Sequence, residues 1–446
     1  MLVVVYMHRA KGNRAFKFPH VLGLSTFAVT AVGMAETAAA NNFQVLYNFQ
    51  GGTGGYGAFG SLIASGGYLY GMTRSGGASH LGTIFSFNTA TNSETILHSF
   101  GGYPDGSDPW WGSLIASGSY LYGMTRLGGA NQNNDTGTIF SYNTITDMEN
   151  ILHSFNSQPA ENIDGYAPFG SLIQSGSTLY GMTSKGGTGG VFGQDQGTIF
   201  SYNTSNNTET VLHAFGATGD GAYPEGSLIA SGSYLYGMTN EGGTNHFGAL
   251  ISFNTSTDKE KVLHSFSESN DGFYPTGSLI ASGSYLYGMT QNGGAYNGGT
   301  IFSYNISTGT ERVLRSFGSD TFDGVGPRGS LIASGGYLYG MTFAGGSYSK
   351  SSGDEIIEGP GTIFSYNITT GVETILHSFA GGKGDGGYPR GDLLLDGSTL
   401  YGMTDGGGAN NAGVIFSYTL PEPGSLALLA LGGLPLFFKQ QKNKLI

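Results

Sequence analysis

The residues best placed to do chemistry are carboxylates recurring at fixed spacing. Asp-Gly-x-x-Pro-x-Gly starts at Asp164, Asp220, Asp271, Asp323 and Asp385, and Asp105 opens a copy lengthened by one residue. The corresponding stretch near the start has Gly54 and Ala58 at the Asp and Pro positions. Six carboxylates offered on one face could hold Ca²⁺, which takes oxygen ligands, or pair with a cationic ligand. The same residues form turns, because Asp accepts hydrogen bonds from nearby backbone N–H groups, Gly permits positive φ and Pro presets the chain. The D-x-D-x-D-G pattern of a calcium loop is absent. Gly381-Gly382-Lys383-Gly384-Asp385 echoes the RTX calcium nonapeptide once and out of phase.

His98, His153, His213, His264 and His377 sit in Leu-His-Ser-Phe or close variants, one per copy. Tyr47 and Arg315 take that position elsewhere. Histidines distributed in this way do not converge on one metal, and a structural role is expected. Trp110 and Trp111 are the two tryptophans of the chain; exposed they could stack on a sugar, and buried they would fill the space made by the extra residue. No Cys is present, which excludes disulfides, zinc–thiolate sites, Fe–S clusters and a cysteine nucleophile. Gly-x-Ser-x-Gly, His-Glu-x-x-His, phosphate-binding loops and sialidase Asp-boxes are absent, so no catalytic residue is assigned. Paired carboxylates on separate repeats would still suffice for a glycosidase.

These residues are positioned by a repeat. Tyr-Gly-Met-Thr occurs seven times, from Tyr70, Tyr122, Tyr180, Tyr236, Tyr287, Tyr339 and Tyr401. A Gly-Ser-Leu-Ile-like segment precedes each copy, and Gly-Thr-Ile-Phe-Ser or a variant follows it, with Leu-His-Ser-Phe fourth. All four are short apolar runs bounded by Gly, Asn, Asp and Ser, the signature of strands. Each repeat thus reads as a four-stranded antiparallel unit of propeller-blade size. Of 446 residues 80 are Gly and 11% are charged, against about 25% charged in ordinary domains. The absence of a G-X-Y period excludes collagen, and 13% aromatics is too many for a disordered linker.

The ends of the array do not match. The last repeat stops at Tyr418 without a fourth strand, whereas Val45-Leu46-Tyr47-Asn48-Phe49 supplies an unclaimed one at the other end. A ring requires such an offset, since closure removes two exposed sheet edges. The expected fold is all-β, a closed seven-bladed β-propeller over residues 41–420. The loops joining second and third strands, which differ most between copies, would carry any specificity.

The phased Leu-Tyr-Gly-Met-Thr, Gly-Gly, Gly-Thr-Ile-Phe-Ser and Leu-His-Ser-Phe segments resemble the GloVer-type extracellular tandem repeat of bacterial surface proteins. That resemblance implies architecture and location and no catalytic residues. Residues 1–40 read as a signal peptide, with Arg9, Lys11, Arg14 and Lys17 before an apolar stretch and Ala38-Ala39-Ala40 for cleavage; an uncleaved anchor is the alternative. Residues 421–446 join Pro421-Glu422-Pro423 to fifteen apolar residues and a basic end, which resembles the PEP-CTERM sorting signal. It implies an exosortase-type processing enzyme as partner, and membrane association through this segment before sorting. A plain C-terminal membrane helix is the alternative.

With both ends set aside, 11 Lys and Arg face 28 Asp and Glu, a balance of −17, so no nucleic-acid partner is expected. The sequence therefore suggests an exported, surface-anchored binding or matrix module, directed at extracellular polysaccharide or a surface protein. A polysaccharide hydrolase or lyase on the loop-bearing face and a structural coat protein are the alternatives. No cofactor is assigned, Ca²⁺ being the one candidate.

Overall fold

The computed structural model describes residues 42–130, 136–156, 164–187, 195–268, 271–320, 322–352, 355–357 and 359–421. The leader (residues 1–40) and, beyond Pro421, the tail signal with Glu422 and Pro423 lie outside the described residues. Among those described, no helix is long and apolar enough to cross a membrane.

Strand β1 (Phe43–Asn48) belongs to the last blade. β2 (Ile63–Ser65), β3 (Tyr68–Thr73), β4 (Thr83–Asn88) and β5 (Ser93–Ser99) form blade one as a four-stranded antiparallel sheet in sequence order. Five further blades repeat this order. In blade seven, β1 pairs antiparallel with Val414–Thr419, Phe43 opposite Tyr418 and Asn48 opposite Val414. The first strand of the chain thus completes the last sheet, and the ring is a closed seven-bladed propeller.

Local chemistry explains the repeated words. In Tyr-Gly-Met-Thr, Gly71 lies opposite Phe85 across the β3–β4 pair, and a Cβ there would stand 2.6 Å from Phe85 Cζ. The ring of the third strand therefore covers the bare backbone of the second. Met72 and Ile84 of blade one pack with Leu114, Leu121 and Phe140 of blade two, so the methionine fills the space between blades, as its flexible thioether suits. Asn88 Oδ1 accepts from the backbone N–H groups of Ala90 and Thr91, and Asn143, Asn203, Asn254, Asn305 and Asn367 make comparable Asx turns.

Gly-Ser-Leu has its reason at the axis. Backbone N–H of Ser61 donates to Ser113 Oγ, Ser113 to Ser171, Ser171 to Ser227, Ser227 to Ser278 and Ser278 to Ser330, at 2.7–2.9 Å. Ser330 N–H donates to Asp392 Oδ1 at 2.5 Å, and Asp392 N–H to Ser61 Oγ at 2.7 Å. Seven blades are thereby tied in one closed belt. The glycines before these residues must be bare, since a Cβ on Gly329 would stand 2.2 Å from Gly391 O.

Candidate functional site

Two constellations carry chemistry: one at the central mouth, the other repeated between blades. The mouth is built from the segments entering each innermost strand and the residues following Tyr-Gly-Met-Thr, which the antiparallel order brings to one face. Phe59, Trp110, Trp111, Phe169, Glu225, Thr276, Arg328 and Arg390 come from the entering segments, and Arg74, Arg126, Asn240, Phe343 and Asp405 follow the second strands. Four of the eleven basic residues of an acidic domain therefore meet here.

Each arginine lies on an aromatic ring. The guanidinium carbon of Arg74 is 3.8 Å from the Trp110 ring centroid, that of Arg126 is 5.0 Å from the same ring, and those of Arg328 and Arg390 are 3.8 and 4.6 Å from Phe343. Such stacking holds the planar cation while leaving its edge for a ligand. Asp108 bonds Arg74 at 2.8 Å and Arg126 at 2.9 Å, and Asp405 bonds Arg390 at 3.0 Å. Arg328 forms no ion pair among the described residues, and its buried Nε has no hydrogen-bond partner. Burial, reinforced by nearby Arg390, lowers its pKa to about 10. Trp110 and Trp111 also bury Nε1 donors without partners. Glu225, in the same mouth, accepts from Asn240 at 3.2 Å. Burial first, then repulsion from Glu241, raises it to about 7.

The mouth widens between blades five and six into a cavity of about 570 Å³ lined by Gln291, Asn292, Tyr296, Asp320 and Arg328 among others. Tyr296 is 56% exposed and Tyr348, nearby in sequence to lining residue Ser349, is 52% exposed. A smaller cavity of about 190 Å³ adjoins Arg126, Phe169 and Glu225.

The structure brings Trp110 and Trp111 to this mouth, half-buried, packed edgewise against Phe169. It does not bring the six repeated aspartates there as a group. Each stays at its own blade junction, and of the six Asp323 also lines the larger cavity. Asp105, Asp164, Asp220 and Asp271 accept from His98, His153, His213 and His264 at 3.0, 3.1, 3.0 and 2.7 Å. Asp385 pairs with His377 at 3.1 Å, and Asp323 with Arg315 at 2.8 Å. Backbone N–H groups complete them, as Gly101 and Gly106 do for Asp105. The turn chemistry read in the sequence is present, and its second partner is the outer-strand histidine.

A third residue joins them from the next blade. Four residues before each His or Arg stands a glutamate: Glu94, Glu149, Glu209, Glu260, Glu311 and Glu373. On a regular strand a spacing of four puts both side chains on one face. Here a bulge intervenes. Glu94 pairs with Phe87, Ile96 with Phe85 and His98 with Ile84, leaving Leu97 extra. Glu94 thus shares the face of Phe85, and His98 takes the opposite one. Each blade consequently presents its histidine to the following blade and its glutamate to the preceding one. His98, Asp105 and Glu149 gather in this way, as do His153, Asp164 and Glu209; His213, Asp220 and Glu260; and His264, Asp271 and Glu311. Burial, largest among the causes, raises each of these four glutamates to about 7.

The family model described as the Gloeobacter/Verrucomicrobia repeat matches residues 33–194 and 189–354. The chain belongs to this repeat family. No curated protein matches it. Among solved structures, the extracellular domain of a B. thetaiotaomicron protein described as a one-component system is similar at TM-score 0.52 and 12% identity, over 84% of this chain and 39% of that one. An oligogalacturonate lyase in complex with manganese gives TM-score 0.49 at 12% identity over 82% and 90%. A puromycin-hydrolyzing peptidase of Mycobacterium tuberculosis gives 0.47 at 12% over 80% and 53%. At these identities such likenesses concern the fold and leave function to the site.

For the Gloeobacter/Verrucomicrobia repeat, sequence reading found the aspartates, histidines and tryptophans and missed the glutamates and the mouth arginines. The recurring Glu-x-x-x-His was a usable signal. The arginines carried one too: Arg74 and Arg126 each follow Tyr-Gly-Met-Thr directly, and Arg328 and Arg390 each stand between the Pro and the last Gly of Asp-Gly-x-x-Pro-x-Gly.

Proposed function

We propose that this propeller is an exported binding module whose axial mouth takes an anionic saccharide, a uronate or another acid-bearing glycan. The observation that carries the reading is Arg328, a guanidinium without an ion pair, stacked on Phe343 and lining the cavity that holds exposed Tyr296. Arginine matches a carboxylate with two parallel N–H donors, and aromatic faces suit the apolar face of a sugar ring. Gln291, Asn292 and Asp320 supply hydrogen-bonding groups for hydroxyls. Export through residues 1–40 and sorting through the PEP-CTERM-like segment at Pro421, Glu422 and Pro423 belong to the same reading, with an exosortase-type enzyme as processing partner.

Binding of acidic and neutral oligosaccharides, compared by array and calorimetry, tests it. Retention of oligouronates, weakened tenfold or more in Arg328→Ala, is expected; equal retention of neutral glycans, or none of acidic ones, would refute it. A lyase reading is favoured by one observation: Glu225, raised to about 7 beside Arg328, has the affinity of a general base. Arginine would neutralise the uronate carboxylate while Glu225 removed the adjacent ring proton, the C–H electrons forming a ring double bond as the neighbouring glycosidic C–O bond breaks and its oxygen leaves with a proton from solvent. Appearance of unsaturated uronate ends, lost in Glu225→Gln, would distinguish catalysis from binding.

A further inference from the structure

We propose that the four junctions linking blades one to five are sites for a divalent transition ion of the zinc class, each made by the imidazole and aspartate of one blade and the glutamate of the next. In each group one ligand atom from all three side chains lies within 4.8 Å of the others. Zinc binds imidazole nitrogen and carboxylate oxygen at about 2.0–2.2 Å. The histidine Nε2 to aspartate separations of 2.7–3.1 Å need open only slightly to flank such an ion. Binding would replace the Nε2–H···Oδ2 hydrogen bond, the neutral imidazole exchanging protons with solvent so that Nδ1 carries its one N–H and Nε2 offers its lone pair to the ion. The aspartates are held from behind: Gly106 N–H donates to Asp105 Oδ1 at 2.6 Å and Gly221 N–H to Asp220 Oδ1 at 2.7 Å. Outer partners of this kind fix the ligand's orientation.

One observation outside these four clusters points to a cation. The Oε1 atoms of Glu149, Glu209, Glu260 and Glu311 are buried with no hydrogen-bond partner, as is that of Glu373, so it is the occupant facing the other carboxylate oxygen that distinguishes the junctions. At the fifth junction the chain supplies the positive charge itself. Arg315 replaces histidine, its Nε donating to Glu373 Oε2 at 2.7 Å and its Nη2 to Asp323 Oδ2 at 2.8 Å. A covalently tethered cation thus bridges the same two carboxylates that the other four junctions leave unbridged. The remaining two junctions lack a ligand set. Phe43 stands where glutamate would and stacks on His377, and Tyr47 replaces histidine opposite Glu94. Among the described residues the number of sites is therefore four, and their function is to clamp neighbouring blades, since an ion bound only by the folded ring stabilises it.

The full chain, stripped with a chelator and titrated with Zn²⁺ by calorimetry, tests this. Four equivalents per chain are expected, with a rise in thermal midpoint. Glu209→Gln should bind three and Glu94→Gln should retain four. His213→Arg, patterned on Arg315, should fold with its charges bridged and also bind three. Less than one equivalent, or an unchanged count in the variant carrying Glu→Gln at all four sites, would overturn the proposal. So would a folded state that zinc leaves unaffected but acid stabilises, for imidazolium would then be the bridging cation.

Discussion

The ring of Phe43 lies parallel to the imidazole of His377, with 3.7 Å between centroids and 3° between planes. One residue opens the first strand and the other is next to last in the outer strand of blade six, so this contact packs the strand that completes blade seven against blade six. Phe43 packs further on Phe379 and Phe416. At the other end of the same strand segment, fully buried Phe49 meets Phe85 of blade one. Closure thus depends on an aromatic contact at both flanks of β1.

Removing residues 43–49 would expose the edge of the last sheet and both adjoining cores. A large fall in thermal midpoint and rapid proteolysis are expected. Phe49→Ala alone should cost about 3–5 kcal/mol, the usual figure for a buried aromatic. An unchanged midpoint in the deletion variant would contradict closure by this strand.

The axial belt gives two opposed substitutions. Gly329→Ala places a methyl 2.2 Å from Gly391 O, where backbone must move, and should sharply lower stability. Asp392→Ser installs the residue that six other blades use. Burial pushes the Asp392 carboxyl above its ordinary 3.8, so the folded state loses stability as pH climbs from 3.8 through that raised value and stays weakened above it. The serine variant should therefore melt higher at alkaline pH, with the difference shrinking in acid. Thermal melts at several pH values measure this.

The interblade glutamates set a pH dependence in the metal-free chain. Glu209 faces His153 and Asp164 and is raised to about 7 mainly by burial. A group raised on folding contributes stability below its unfolded pKa, here 4.5, and loses it as pH climbs through about 7. Between those values the contribution of Glu209 falls, and above them it is flat. Glu209→Gln should flatten this part of the profile, as read by denaturant midpoint against pH. A steeper profile in the variant would contradict the burial of this carboxylate.

At the mouth, association with an oligouronate should weaken as salt increases, because exposed parts of the arginine cluster are screened. Trp110→Ala removes the surface under Arg74 and Arg126 and is expected to reduce affinity about tenfold, equivalent to about 1.4 kcal/mol. Titration calorimetry at two ionic strengths checks both effects. Wild-type affinity independent of salt would exclude an ionic component.

Sequence by itself determined the blades, their number and their closure. Strand words repeat in phase, glycines stand where a ring or a carbonyl leaves no room for Cβ, and an orphan strand waits at the opposite end. These are local or counting properties. Sequence also displayed Asp105 and His98, seven residues apart, with turn chemistry between them. It could not display Glu149 as their third partner, because that depends on a bulge at Leu97 that turns His98 away from its own strand's glutamate and toward the next blade. Nor could it gather Arg74 and Arg126, which follow Tyr-Gly-Met-Thr, with Arg328 and Arg390, which precede the innermost strands; the two pairs meet only because seven sheets radiate from one axis. Periodicity encodes the sheet; proximity across blades is decided by the twist, bulge and closure that pack those sheets together.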